Sequence, residues 1–207
     1  MSARYPLVAV YADESCLGNG KQGETPGGAG GLVEFQLRSG DLVCRDYWIS
    51  EPDTTNNRMA LQSVIQAFTH LSAKGERLSV VFTTDSRYLV DGMTTWVHGW
   101  ARKQWRKADG KPVENLALWH QALQAVSSGG HEVEWRWVKG HAGHPQNEWA
   151  NHLATSAAAN QTQSGGLAES GFATWLATLP LAVRRSGPPS PFPSATTFAA
   201  AKPLPAA

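Results

Sequence analysis

The stretch Leu7-Val8-Ala9-Val10-Tyr11-Ala12-Asp13 and its echo Leu78-Ser79-Val80-Val81-Phe82-Thr83-Thr84-Asp85 set the reading of the whole chain. Each is a short apolar run that closes on an aspartate, the pattern of a buried strand. In an open α/β sheet, ligands and catalytic groups collect at the carboxyl ends of the strands. Two carboxylates brought together there make half of a divalent-metal site.

Working outward, a Gly-rich loop over 18–27 turns the chain into a strand with Val33, Phe35 and Leu37 on one face. Ser39-Gly40-Asp41 signals a hairpin, and residues 42–49 return as a third strand. Leu61, Val64, Ile65, Phe68 and Leu71 then follow helical spacing, and Lys74-Gly75 closes that helix. After the strand at 78–85, Trp96 and Trp100 fall four residues apart on a helix, with Trp105 just beyond. Leu116 to Val126 is a further amphipathic helix, ended by Gly129-Gly130. Val133, Trp135 and Trp137 alternate with Glu132, Glu134 and Arg136 as a fifth strand, and Pro145 opens a last helix through about Ala159. The order β-β-β-α-β-α-α-β-α implies an α/β fold with a five-stranded mixed sheet and helices on both faces.

A chain of 207 residues with 42% hydrophobic content fits one domain and an appendage. A net charge of +1 excludes a uniformly basic coat but leaves room for local basic patches. Cys16 and Cys44 have neither metal-ligand spacing nor a disulfide framework and read as reduced thiols. The apolar run after Arg4 is ended by Asp13 and Glu14, which does not fit a signal peptide, and no stretch reaches the roughly 18 apolar residues of a membrane span. The expected setting is a cytoplasmic monomer with no membrane association. The domain is expected over 1–160. Residues 161–207, rich in Ala, Ser and Gly and then in Pro, are expected to form a flexible extension, with docking of a protein partner as its alternative role.

Four motifs occur in order. Tyr11-Ala12-Asp13-Glu14-Ser15-Cys16-Leu17-Gly18-Asn19, Thr55-Asn56-Asn57-Arg58-Met59, Thr83-Thr84-Asp85-Ser86 and Trp137-Val138-Lys139-Gly140-His141-Ala142-Gly143-His144-Pro145 together resemble the ribonuclease H type 1 family, which cuts the RNA strand of RNA–DNA hybrids. The resemblance runs from residue 5 to about 159. It implies a ribonuclease H-like fold and two-metal hydrolysis, in which four carboxylates hold Mg²⁺ or Mn²⁺.

Carried over by position, Asp13 and Asp85 match the first and third ligands. Ala60 stands where the second, a glutamate, is expected, and Asn151 where the fourth, an aspartate, is expected. Glu14 replaces the family's glycine, and strand alternation directs its side chain to the face opposite Asp13. On that basis two of four ligands are altered, and ligand charge falls from about −4 to about −2. Asn151 keeps a neutral oxygen for a weakly bound metal, and Glu148, three residues earlier on the same helical face, is the candidate substitute. His141 matches the loop histidine that assists proton transfer or product release.

Substrate grip is better preserved. Asn19, Asn56 and Asn57 match residues that contact the hybrid's minor groove in the family, where amides can meet 2′-hydroxyls and base edges. Arg87 replaces a glutamine and offers a phosphate contact. Residues 96–111 resemble the family's basic protrusion: Arg102, Lys103, Arg106 and Lys107 lie among Trp100 and Trp105, a mixture suited to neutralising a backbone and packing on sugar. Trp96 and Trp100 are expected in the core and Trp105 facing the nucleic acid. The expectation is therefore a hybrid-binding protein with cleavage lost or severely reduced. An active Mg-dependent endonuclease using Asp13, Asp85 and Glu148 is one alternative, and a protein-interaction module acting through the tail is another.

Overall fold

The computed structural model describes residues 2–18, 25–181 and 187–206. Its strands are β1 (Leu7–Cys16), β2 (Gly27–Gln36), β3 (Leu42–Glu51), β4 (Ser79–Thr84), β5 (Glu132–Trp137) and β6 (Ala168–Glu169). The helices are α1 (Asn56–Ser72), α2 (Arg87–Asp91), α3 (Val97–Arg102), α4 (Leu116–Ser128), α5 (Pro145–Asn160) and α6 (Phe172–Thr178). One π-helical turn, Gly92–Trp96, joins α2 to α3. The sheet order is β5-β4-β1-β2-β3-β6, antiparallel across β1, β2 and β3 and parallel across β1, β4 and β5. The five expected strands are all present, and β6 adds a sixth from the extension.

Alternation along β1 divides the molecule. Val8, Val10 and Ala12 join the main core with Leu61, Val64 and Phe68 of α1 and Trp119 of α4. Ala9 and Tyr11 face the other way, onto Trp149 of α5. Thr55 caps α1, its hydroxyl accepting from Arg58 N at 3.4 Å, and the helix buries a stripe from Met59 to Leu71. Helix α5 lies directly on β2: a Cβ at Gly28 or Gly30 would overlap the carbonyls of Ala154 and Ala150. Those glycines let the helix sit low enough for its first turn to reach the end of β1.

The extension packs along the domain rather than trailing from it. Phe172 and Phe198 are buried, the latter only 1% exposed. Asp46 is buried in β3 and accepts from Trp149 Nε1 at 3.0 Å, Ser170 Oγ at 2.7 Å and Gly171 N at 2.9 Å, tying the start of α6 to α5. The extension also covers both sheet edges. β6 pairs with β3, and Ala201 N donates to Val133 O of β5 at 2.8 Å. A Pro-rich composition signals the lack of regular structure, but widely spaced aromatic anchors are enough to hold a segment against a preformed surface. Among the described residues, no helix is long and apolar enough to cross a membrane.

Truncating Phe198 to alanine is expected to lower the free energy of unfolding by about 3–5 kcal/mol, the usual cost of emptying a buried phenylalanine site. Urea denaturation of the full chain checks this, because a loosely held extension would leave the midpoint unchanged.

Candidate metal centre

Pairing between β1 and β4 ends at Ala12 opposite Thr84. The next residues are Asp13 and Asp85, so both carboxylates emerge where β4 leaves the sheet. Glu14 is still paired with β2, opposite Ala29, but no longer has β4 beside it. Its Cβ lies on the α1 face and that of Asp13 on the α5 face, as alternation requires. Past the last residue of β4, however, no strand separates the two faces. Oxygens of Asp13, Glu14 and Asp85 all lie within 4.8 Å of one another, an arrangement positioned to chelate a divalent metal ion.

This corrects the expected ligand count. Glu14 does not point away from the cluster, and the centre holds three carboxylates, about −3 rather than about −2. The reading of a centre with two of its four ligand carboxylates lost is overturned with it. Ala60 is buried in the main core together with Ala12, two residues before Glu14. The face that lacks a carboxylate from α1 thus receives one from β1. The missed signal was the pairing of a loss at residue 60 with a gain at residue 14, which alternation alone conceals.

The surroundings fix the acids in place. Asp13 is only 5% exposed, and its two oxygens accept from Glu14 N at 2.7 Å and from Asn147 Nδ2 at 2.8 Å. Asn147 Oδ1 is buried with no hydrogen-bond partner among the described residues, an oxygen beside the acids that suits a hydrated cation. Burial, then the Asp85 charge, push the Asp13 carboxyl up to about 7 against those two donors. Burial, followed by the charges of Asp13 and Asp85, raises Glu14 well above the usual carboxylate range, and burial raises Asp85 too. Three mutually repelling, partly desolvated acids fit a site that a cation completes.

Around them, α5 supplies Glu148 in its first turn, and Asn151 one turn after Asn147 on the same face. His141 is exposed in the left-handed region (φ 51°), its Nδ1 3.9 Å from Glu148 Oε2. Gly140 passes so close to Asp85 that a Cβ there would overlap its Oδ2, which fixes the height of the histidine loop. Trp137 Nε1 donates to Asp85 O at 3.0 Å, and the Arg87 guanidinium stacks 3.9 Å above the Trp137 ring.

The other expected contact residues lie further out. Asn56 and Asn57 are exposed in the first turn of α1, whereas Asn19 lies outside the described residues. Arg102 at the end of α3 and Lys103 and Arg106 beyond it are exposed, and Lys107 pairs with Glu114 at 3.0 Å. Trp105 folds inward against Trp100 and His120, with ring centroids at 6.3 and 4.5 Å, while Trp96 is 36% exposed. The roles expected of Trp96 and Trp105 are thus exchanged in position: Trp105 anchors the basic segment to the core.

The Asp13 value implies a stability trend. Its folded pKa of about 7 lies above an unfolded value of roughly 4. Between those limits the folded state binds more protons, so metal-free stability falls as pH rises from about 4 to about 7. In EDTA, the melting temperature of Asp13→Asn is expected to gain on the unchanged protein across that range, and saturating Mn²⁺ should remove the difference above pH 7. Parallel melting curves at every pH would contradict the assignment.

Residues 6–159 match the RNase H family. The ribonuclease H of Escherichia coli is 41% identical over 155 residues, covering 75% of this chain and 91% of its own. The crystal structure of LC9-RNase H1, a type 1 RNase H with the type 2 active-site motif, is 60% identical with a TM-score of 0.89, covering 98% of this chain and 95% of that one. The RNase H domain of PFV shares the fold at 16% identity and a TM-score of 0.60, over 77% of this chain and 97% of its own. The likenesses to the Escherichia coli enzyme and to LC9-RNase H1, with the three-acid cluster, overturn the expectation of lost or severely reduced cleavage and of a pseudoenzyme. The chain belongs to the RNase H family.

Proposed function

We propose that this protein is an active, divalent-metal-dependent endoribonuclease that cuts the RNA strand of RNA–DNA hybrids. The observation that carries the reading is the convergence of Asp13, Glu14 and Asp85 oxygens within 4.8 Å at the end of the β1–β4 pairing. In this reading Glu14 takes the part that an acid at position 60 would play. Asn151 adds a neutral oxygen, and Glu148 stands at the rim beside His141.

Bound Mg²⁺ or Mn²⁺ supplies an activated water and charge stabilisation at the departing oxygen. The protein's own groups orient and hold. Asn147 and the Glu14 amide each donate to one oxygen of Asp13 and hold its carboxylate within reach of Glu14 and Asp85. His141, exposed on its loop next to Glu148, is assigned to proton transfer or product release at the mouth of the site. Asn56 and Asn57 are assigned to the minor groove. Arg87, held flat by Trp137, and the Arg102, Lys103, Arg106 and Lys107 segment on its Trp100–Trp105 base are assigned to phosphates.

The purified full chain is expected to cleave a labelled RNA–DNA hybrid in Mg²⁺ or Mn²⁺ and to leave the DNA strand intact. Glu14→Gln should lower kcat by at least roughly 100-fold, about 3 kcal/mol of lost transition-state stabilisation. Glu148→Gln should cost clearly less. Failure of the unchanged chain to cut, or a fully active Glu14→Gln variant, would overturn the assignment. Lys103→Ala should raise KM with little change in kcat and flatten its salt dependence.

A further inference from the structure

The C-terminal segment reaches the turn from which α5 presents its site residues. Ser190 Oγ is 3.0 Å from His144 Nε2. The other ring nitrogen of His144, Nδ1, accepts from Asn147 N at 3.4 Å and so caps α5. Asn147 in turn donates to Asp13 Oδ2. A nitrogen that accepts from a backbone N–H is unprotonated, so the neutral ring carries its proton on Nε2 and donates to Ser190. The Ser190 hydroxyl therefore selects the one neutral tautomer that can cap the helix.

Ser190 is itself fixed. Its N–H donates to Gln146 Oε1 at 3.0 Å and its carbonyl accepts from Gln146 Nε2 at 2.8 Å, and Gln146 is buried. Upstream, Gly187 passes so close to the histidine loop that a Cβ would overlap the Gly143 carbonyl. Downstream, Phe198 and the Ala201 to Val133 hydrogen bond anchor the segment on β5. The Tyr11 ring, 5.5 Å from that of His144, closes the other side.

We propose that the C-terminal segment is a latch on the metal centre, with His144 as the positioning residue that transmits it from Ser190 through Asn147 to Asp13. A general staple would stabilise the fold wherever it docked. This one ends on the cap that sets the first turn of α5, and so it sets the angle at which Asn147 holds an acid of the cluster. Outer hydrogen bonds of this kind orient ligands and tune affinity. The inference rests on the metal-centre reading above, and direct metal titration separates the two.

The test is calorimetric titration of the full-length protein with Mn²⁺, alongside hybrid cleavage, for Ser190→Ala, His144→Ala, His144→Asn and Ser190→Ala/His144→Asn. Ser190→Ala is expected to weaken Mn²⁺ binding about threefold, as for loss of one supporting hydrogen bond. His144→Ala should weaken it about tenfold, with kcat falling and KM for the hybrid unchanged. Asparagine, which can cap a helix without Ser190, should recover most of that affinity, and adding Ser190→Ala to it should cost nothing further. Should His144→Ala fail to fold, Ser190→Ala and the asparagine pair carry the same comparison. Variants that melt lower but bind Mn²⁺ like the unchanged chain would overturn the latch alone. An unchanged chain that binds no Mn²⁺ would overturn both readings.

Discussion

Everything at the metal centre depends on where β4 stops beside β1. Pairing through Ala12 and Thr84 holds the two strands in register, and its end leaves Asp13, Glu14 and Asp85 around one gap in the sheet. A β4 two residues longer would lie beside Glu14 as well as Asp13 and close that gap. The raised protonation tendencies follow from this placement: burial comes first for all three acids, and the charges of neighbouring cluster acids add to it at Asp13 and Glu14. Such repulsion is a cost to the metal-free fold, offset by the close packing of α1 and α5 on the two faces.

The support for that arrangement comes from far along the chain. Asn147 steadies Asp13 from α5, α5 is seated by the small residues of β2, and its opening turn is capped by His144. The extension completes the frame: it covers both sheet edges, fills a pocket with Phe198 and meets His144 through Ser190. Domain and extension therefore behave as one structure in physical terms, although their compositions differ sharply.

Much of this was legible from residues alone. The two aspartate-ended strands, the antiparallel strands that follow the first of them and the helical stripe from Leu61 to Leu71 gave the order and layering correctly, because hydrophobic period reports burial directly. Asp13 and Asp85 were identified for the same reason. Glu14 was not, because alternation describes a side chain's starting direction and not the reach of a long one at a sheet's edge. Composition predicts a flexible extension and not a packed one, because proline content reports regular structure and not docking, and two well-placed phenylalanines weigh little in a composition. Basic neighbours predict an outward Trp105, because they mark a surface segment without saying which of its aromatics root it.

The central claim is that the carboxylate absent from α1 is supplied by β1. It is tested most directly by moving that charge, comparing Glu14→Gly with Glu14→Gly/Ala60→Glu for Mn²⁺ binding and hybrid cleavage. The account requires the single change to abolish both and the double change to restore them. Full binding and cleavage by Glu14→Gly would contradict it.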